Sequence, residues 1–317
     1  MLASLIGAAG GAAAKAAASE AGKAGARNVI ARVRDLWRAP GELKHAQERI
    51  QQLEEQLQRA EEKAAAIEAR VRQGAVLTHQ ASEAVRAAWA AIHFEDFATP
   101  EHRELRGHDL IRAFQPLLGA LARHFQEHFT KQPTAACIKM LIPRPDGPSV
   151  MTLVRDQVSE QHRGNDPYPV RDCTAFEKIM RENLHVFRPA EDLRVLEDRG
   201  EYHNPTREYW RHYRSTMVLP IRARRQKGAG TEFVFAGFLC LDCKEPGGFG
   251  EPFARQPRHE DNPEDFNVAA TIADALFWPL VWFSLRLHRP EMAPIPYLEE
   301  ALRLEQIEHI EKEGGAK

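Results

Sequence analysis

The stretch Tyr213–Cys243 constrains the fold most, because two short apolar runs flank a basic segment there. Ser215–Ile221 is the first apolar run, and Arg222–Gly230 is basic and ends in Gly-Ala-Gly, which is a turn signal. Phe233–Leu241 is then almost unbroken apolar and too short for a typical helix. Because aromatic and β-branched residues fill this second run, we predict a β-hairpin whose second strand lies centrally in a sheet, buried on both faces.

Composition bounds the class of protein. The chain has 317 residues, enough for one or two domains with a proper hydrophobic core. Its formal net charge of -2 shows no global basicity, so we expect no nucleic-acid partner. Four cysteines are too few for a disulfide framework, so we expect a cytoplasmic protein.

The N-terminal segment, residues 1–40, leaves two interpretations open. Its first 26 residues are mostly Ala and Gly, which can form a helix or a mobile terminus. The next residues place an apolar stripe on one helical face, with arginines on the other; the stripe comprises Val29, Ile30, Val33, Leu36 and Trp37. Such a helix suits a membrane interface, so residues 1–38 are a candidate contact with the inner membrane surface. Packing on protein is the alternative.

A heptad repeat follows and predicts a coiled coil over residues 41–92. Its a positions are Leu43, Ile50, Leu57, Ala64 and Val71, and its d positions are Ala46, Leu53, Ala60, Ile67 and Gly74. In a parallel, in-register pair Arg49 faces Glu54 of the second copy and Lys63 faces Glu68, whereas an antiparallel pair brings like charges together. We therefore predict a parallel homodimer, with residues 42–77 forming a rod of about 50 Å.

After a linker at residues 93–104, elements alternate in a recognisable order. Leu105–Phe129 is predicted to be an amphipathic helix, on which His124 and His128 stand at i, i+4. We interpret these two histidines as solvated, and we expect no metal site. Ala135–Ile142 and Ser149–Arg155 are predicted to form a hairpin around an Asp-Gly turn.

The second half of this region continues with a helix and an edge strand. The capping box Thr174-x-x-Glu177 predicts a helix start, and His185–Arg188 is predicted to be an edge strand that ends at a proline. Residues 190–212 are predicted to be a long loop. A core or dimer helix is predicted from Asn262 to about His288, followed by a helical tail at residues 291–317.

This order of elements resembles the GAF-domain family of small sensory modules, and three stretches carry most of the resemblance: CTAFEKIM, YRSTMVLPI and FVFAGFLCLD. The resemblance implies an α+β fold over residues 105–290. In that fold an antiparallel sheet is flanked by helices, and here a long N-terminal helix or coiled coil precedes it. A small-molecule ligand is the partner that the family implies, and we expect no cofactor.

By the same resemblance, the ligand pocket lies on one face of the sheet, under the loops and helix that flank the edge strand. That position implies a set of candidate residues: Asp172, Cys173, Thr174, Arg188, Tyr202, Trp210, Tyr213 and Arg214. Guanidinium and aromatic groups suit a flat anionic ligand such as a nucleotide. The alternative is that Trp210 and Tyr213 only fill the core while the arginines are solvated.

Enzymatic interpretations are weaker. One branch of the family resembles free methionine sulfoxide reductase, and Cys173 is placed like one of its cysteines, but the partner cysteine expected before the last hairpin is missing. Cys240-x-x-Cys243 is a single pair, for which we predict one buried and one surface thiol rather than a zinc site.

We therefore predict no catalytic residue and a non-enzymatic sensory protein that signals through a dimeric coiled coil. The alternative is a membrane-associated effector or scaffold that acts through its N-terminal segment without a soluble ligand.

Overall fold

The computed structural model describes residues 40–93, 95–157, 166–227, 230–249 and 264–288. The predictions for residues 1–39 and for the tail at 291–317 lie outside this described part. The chain divides into two compact units, residues 1–70 and residues 71–317.

A single long helix, α1, runs from Pro40 to His93. In the first unit, the heptad residues Leu53 and Ile67 are 38% and 55% exposed. In the second unit, one side of the same helix is buried; its buried residues include Leu77, Ala81, Ala88 and Ile92. The later heptads therefore contribute to the core of the second unit, while the earlier ones leave an apolar stripe at the surface.

The second unit is built on five strands: β1 Thr134–Ile142, β2 Ser149–Arg155, β3 Tyr168–Pro169, β4 Ser215–Lys227 and β5 Gly230–Cys243. Their order is β3-β2-β1-β5-β4, and every neighbouring pair is antiparallel. The apolar run within β5 is therefore central, as predicted. The predicted edge strand is reduced to one residue, Phe187, which exchanges two hydrogen bonds of 2.8 and 2.9 Å with Val218 of β4.

The first strand of the hairpin was predicted only over the apolar run Ser215–Ile221, and β4 instead continues through the basic residues to Lys227. Cross-strand packing explains the difference, because the Arg222 guanidinium lies 3.9 Å from the ring centroid of Phe233 on β5. Arg224 lies 5.8 Å from the same ring. Such cation–π pairs favour extending the hairpin beyond its apolar part.

Four further helices complete the unit: α2 Pro100–Phe125, α3 Thr174–Glu182, α4 Leu193–Asp198 and α5 Glu264–His288. A short π-helix at Gln126–Thr130 follows α2. Because side chains alternate along a strand, residues such as Ile138 and Leu239 pack against α2 and α5, whereas Cys137 and Phe238 point to the opposite face. That opposite face is covered by α3, α4 and the segment that follows α4.

Helix α5 is a core helix of this unit. In the described part of the chain, only Phe266–His288 has the length and apolar composition that a membrane span requires. One side of it is buried in the core through Phe266, Ala269, Ile272, Ala273, Leu276, Phe277, Leu280 and Phe283. This packing accounts for its hydrophobicity.

Three local predictions were wrong. His124 is fully buried rather than solvated, because α2 turns that face toward the core, where the His124 ring packs edge-on against Phe125. Cys240 and Cys243 are both buried, whereas one of the two was predicted to be at the surface. The predicted loop at 190–212 contains α4, whose first turn is capped by Asp192 through a 3.1 Å hydrogen bond from the Arg194 N–H. A helix of six residues shows too little periodicity to be detected from sequence.

Candidate functional site

A cavity of about 240 Å³ lies on the sheet face that α3 and α4 cover. Its floor is formed by inward-facing side chains of β1, β2, β4 and β5, and its walls by α3 and the segment after α4. Thr206 lines the cavity and is exposed, so the cavity reaches the surface at that residue.

Strand register determines which residues meet on the floor. Arg155, Cys137, Cys240 and Val218 are successive cross-strand partners on β2, β1, β5 and β4, so they form one row across the sheet. Lys139 and Asp242 each stand two residues along their own strand from this row and share its face. The floor therefore combines charged groups and thiols from β1, β2 and β5, while β4 contributes Thr216 and Val218.

Two cations lie toward the β2 side of the floor. Lys139 Nζ donates a 3.0 Å hydrogen bond to Thr152 Oγ1 and lies 5.3 Å from the Tyr168 ring centroid. Arg155 is 9% exposed, and its Nη2 lies 3.4 Å from the same hydroxyl oxygen. The buried Arg155 Nε has no hydrogen-bond partner among the described residues. A buried N–H without an acceptor costs about 1–3 kcal/mol.

Asp242 places the opposite charge on the β5 side of the floor. Its Oδ1 accepts a 2.8 Å hydrogen bond from Thr216 Oγ1. The cavity therefore has a cationic side and an anionic side.

Tyrosine side chains close the cavity above the floor. Asn204 Nδ2 donates hydrogen bonds of 3.2 Å to the Tyr202 hydroxyl and 2.8 Å to the Tyr213 hydroxyl. Burial raises the pKa of the Tyr202 and Tyr213 phenols well above the ordinary value for tyrosine, so both side chains are neutral. Tyr202 also stacks on Phe187, with ring centroids 6.2 Å apart. These two tyrosines thus belong to the core and line the cavity at the same time.

Three of the four cysteines line the cavity, and Cys243 lies in the core on the other sheet face. Burial raises the pKa of the Cys173 thiol to about 11, although the backbone N–H groups of Phe176 and Ala175 oppose this shift. A hydrogen bond from Cys240, helped by the charges of Lys139 and Arg155, holds the pKa of Cys137 below its ordinary value. Burial raises the pKa of Cys240.

The structure brings three of the sequence-predicted site residues into the cavity: Cys173, Tyr202 and Tyr213. Thr174 supports the wall instead, because its hydroxyl accepts a 2.8 Å hydrogen bond from the His203 N–H. That bond also explains why Thr174 does not cap α3, where Cys173 occupies the N-cap position. Asp172 lies beside Arg171, at 3.9 Å.

Like Thr174 and Asp172, the remaining three predicted residues do not line the cavity. Trp210 forms cation–π contacts with the guanidinium groups of Arg194 and Arg211, which lie 4.8 and 5.4 Å from its ring centroid. Arg214 pairs with Asp192, with Nε 3.2 Å from Oδ1. Arg188 is partly buried, and burial lowers its pKa.

Sequence reasoning missed Lys139, Arg155, Asp242 and Asn204. For the first three, a signal was present: a charged residue stands at an inward-facing position of a strand that is otherwise apolar. A buried charge has a large desolvation cost, so an interruption of this kind indicates a functional position. The part of the chain that the structure describes contains no group of three side chains placed to hold a metal ion.

No protein-family model matches the sequence, and no curated protein matches it either. Similar solved structures include the GAF domain of a phosphoenolpyruvate-protein phosphotransferase from Acinetobacter, with 12% identity and a TM-score of 0.35. That match covers 56% of this chain and 90% of the other. The second GAF domain of DevS from Mycobacterium smegmatis matches with 15% identity and a TM-score of 0.28, over 55% of this chain and 96% of the other.

A phycocyanobilin-bound GAF domain from a cyanobacterial phytochrome also matches, with 15% identity and a TM-score of 0.28. It covers 60% of this chain and 97% of the other. These likenesses concern the fold alone. The antiparallel sheet of five strands, with helices on both faces and a long helix before it, is the α+β, GAF-like fold that the sequence predicts.

Proposed function

We propose that residues 71–288 form a non-enzymatic sensory domain that binds a small organic anion in the cavity on its sheet. The observation that carries this proposal is the buried Arg155 at the cavity floor, whose Nε has no hydrogen-bond acceptor within the described residues. Lys139 adds a second positive charge next to it. A carboxylate or phosphate oxygen placed there would satisfy the guanidinium and gain a charge-assisted hydrogen bond.

Size and polarity limit the ligand further. A volume of about 240 Å³ is below the range of roughly 300–1,000 Å³ typical of drug-sized pockets, which favours a compact metabolite. Asp242 and Thr216 offer acceptors on the far side of the floor, so a ligand with a donor opposite its anionic group fits best. The rings of Tyr168 and Phe176 add apolar surface to the cavity lining.

The test is a thermal-stability screen of the full chain with small carboxylates, amino acids and phosphate monoesters. A ligand at about 100 times its Kd should stabilise the folded state by about 2.7 kcal/mol. The variants Arg155→Met and Lys139→Met should lose this stabilisation while keeping the circular dichroism of the wild type. Arg214→Met is the matched comparison, because it removes the same charge from a residue that does not line the cavity.

Two outcomes contradict this assignment. Loss of stabilisation in Arg214→Met with retention in Arg155→Met would move the site to the surface of the segment after α4. If no compound in the screen raises the melting temperature, the sensory proposal loses its support.

The proposal includes a parallel homodimer formed by α1. It is supported by the exposed heptad residues Leu53 and Ile67, which would be buried between two copies. Light scattering at micromolar concentration should give twice the chain mass, and a monomer would contradict the dimer. Cysteine introduced at Leu53 should crosslink two copies on oxidation, whereas cysteine at Gln52 should crosslink poorly.

The second candidate function is a cytoplasmic protein that attaches to the membrane through its N-terminal segment. The apolar stripe that includes Val33 and Trp37, with arginines opposite, favours it. Full-length protein should float with anionic liposomes, and a truncated chain starting at Gly41 should not. Equal recovery of both in the unbound fraction would assign residues 1–38 to protein packing.

A further inference from the structure

We propose that Cys137 and Cys240 form a hydroperoxide-reactive dithiol at the cavity floor, which closes to an intramolecular disulfide. The inference concerns the same cavity floor as the proposed anion site and shares Lys139 and Arg155 with it, but it does not require a bound ligand, because it rests on the pairing of the two strands.

The geometry of the sheet places the two thiols together. Cys137 on β1 and Cys240 on β5 are direct cross-strand partners, and both side chains line the cavity floor. Facing residues on antiparallel strands have Cα atoms roughly 4.5–5.5 Å apart, which lies within the range of about 4.4–6.8 Å seen for disulfides. A bond between the two sulfurs therefore requires little movement of either strand.

The surroundings distinguish Cys137 from the other thiols. Lys139 stands two residues away on the same strand face, and Arg155 is its cross-strand partner on β2. These cations stabilise a thiolate at Cys137 and the oxyanion that leaves when a peroxide bond breaks. Cys173 is held protonated by burial, and Cys243 lies on the other face of the sheet.

A small oxidant can reach the pair through the cavity. The cavity extends from its floor at Cys137 and Cys240 to the exposed Thr206. Both cysteines are almost completely buried from bulk solvent, so access depends on this route and favours small hydroperoxides over large oxidants.

The reaction balances in two steps. The Cys137 thiolate attacks the outer oxygen of ROOH, the O–O bond breaks, and the RO⁻ that leaves takes up the thiol proton to become ROH. The Cys240 sulfur then attacks the resulting sulfenic acid and displaces water. In total, two thiols and ROOH give one disulfide, ROH and H₂O, with two electrons passing from sulfur to the peroxide.

The test adds one equivalent of hydrogen peroxide to the reduced full-length protein and then counts free thiols and maps the peptides by mass spectrometry. We expect two of the four thiols to disappear and one peptide pair to join Cys137 to Cys240. A thiol reductant should restore both. Peroxide consumption should fall at least about tenfold in Cys137→Ser and stay unchanged in Cys243→Ser, which is the matched control.

A second variant keeps the proposal testable if Cys137→Ser does not fold. Cys240→Ser should stop at the sulfenic acid, which dimedone traps on Cys137. Three results would overturn the proposal: four free thiols after peroxide treatment of the folded protein, equal rates in Cys137→Ser and Cys243→Ser, or a Cys240→Ser protein that gives no dimedone adduct.

Discussion

Substitution of Gly237 by alanine should destabilise the sheet severely, because the β1 backbone lies where the added Cβ atom would have to go. It pairs with Met140 on β1 and with Ile221 on β4. A Cβ atom at this position would overlap the backbone carbonyl oxygen of Lys139 and lie 3.2 Å from the Met140 Cα. The obstruction is backbone, so no side-chain rotation can relieve it.

The expected cost follows from what must move. Restoring van der Waals contact requires the strands to separate by on the order of 1 Å, which weakens one or two ladder hydrogen bonds worth about 1 kcal/mol each. Overpacking adds roughly 1–3 kcal/mol, so the free energy of unfolding should fall by about 2–5 kcal/mol. For a domain of this size, that loss lowers the melting temperature by roughly 10 °C.

The matched control is Gly107→Ala in helix α2. There the added Cβ would lie 4.0 Å from Phe283 Cζ, an ordinary contact, so alanine should stabilise the helix by about 0.5–1 kcal/mol. Urea and thermal unfolding of both variants measure the difference. A Gly237→Ala protein that melts within about 2 °C of the wild type would refute this account of the β1–β5 approach.

Three further outcomes are expected. Phe238→Ala should cost roughly 3–5 kcal/mol because Phe238 is fully buried against Phe176, while Phe235→Ala should cost less because Phe235 is only half-buried, as urea unfolding would show. Leu77→Ala should lower the melting temperature equally at every protein concentration because Leu77 lies in the core, whereas Ile67→Ala should change only the dependence of melting on concentration. The folded-state pKa of Cys173, about 11, is above its unfolded value of 9.0, so its stabilising contribution is complete below pH 9 and is lost as pH rises to 11. The wild type should therefore lose up to roughly 3 kcal/mol more than Cys173→Ala over that window, and parallel stability curves for the two proteins would contradict this.

The sequence alone determined β1, β2 and the apolar parts of β4 and β5, together with most of the long helices. It predicted β2 with its exact ends and β1 to within one residue, because alternation and β-branched composition act locally and turn residues mark the ends. The heptad repeat predicted α1, because its apolar period is also a local property of the sequence. Helix α4 and the continuation of β4 were not predicted from the sequence. A capping contact stabilises α4 and cross-strand cation–π pairs stabilise the end of β4, and neither interaction is visible in local propensity.

Tertiary structure decided the candidate site. Arg155 and Arg214 look alike in the sequence, yet one lies on the cavity floor and the other pairs with Asp192 at the surface. The meeting of Cys137 and Cys240 likewise depends on which strands pair and in which register. Pairing and register are set by burial of one whole sheet face against the helices, a non-local free energy that no short stretch of sequence contains.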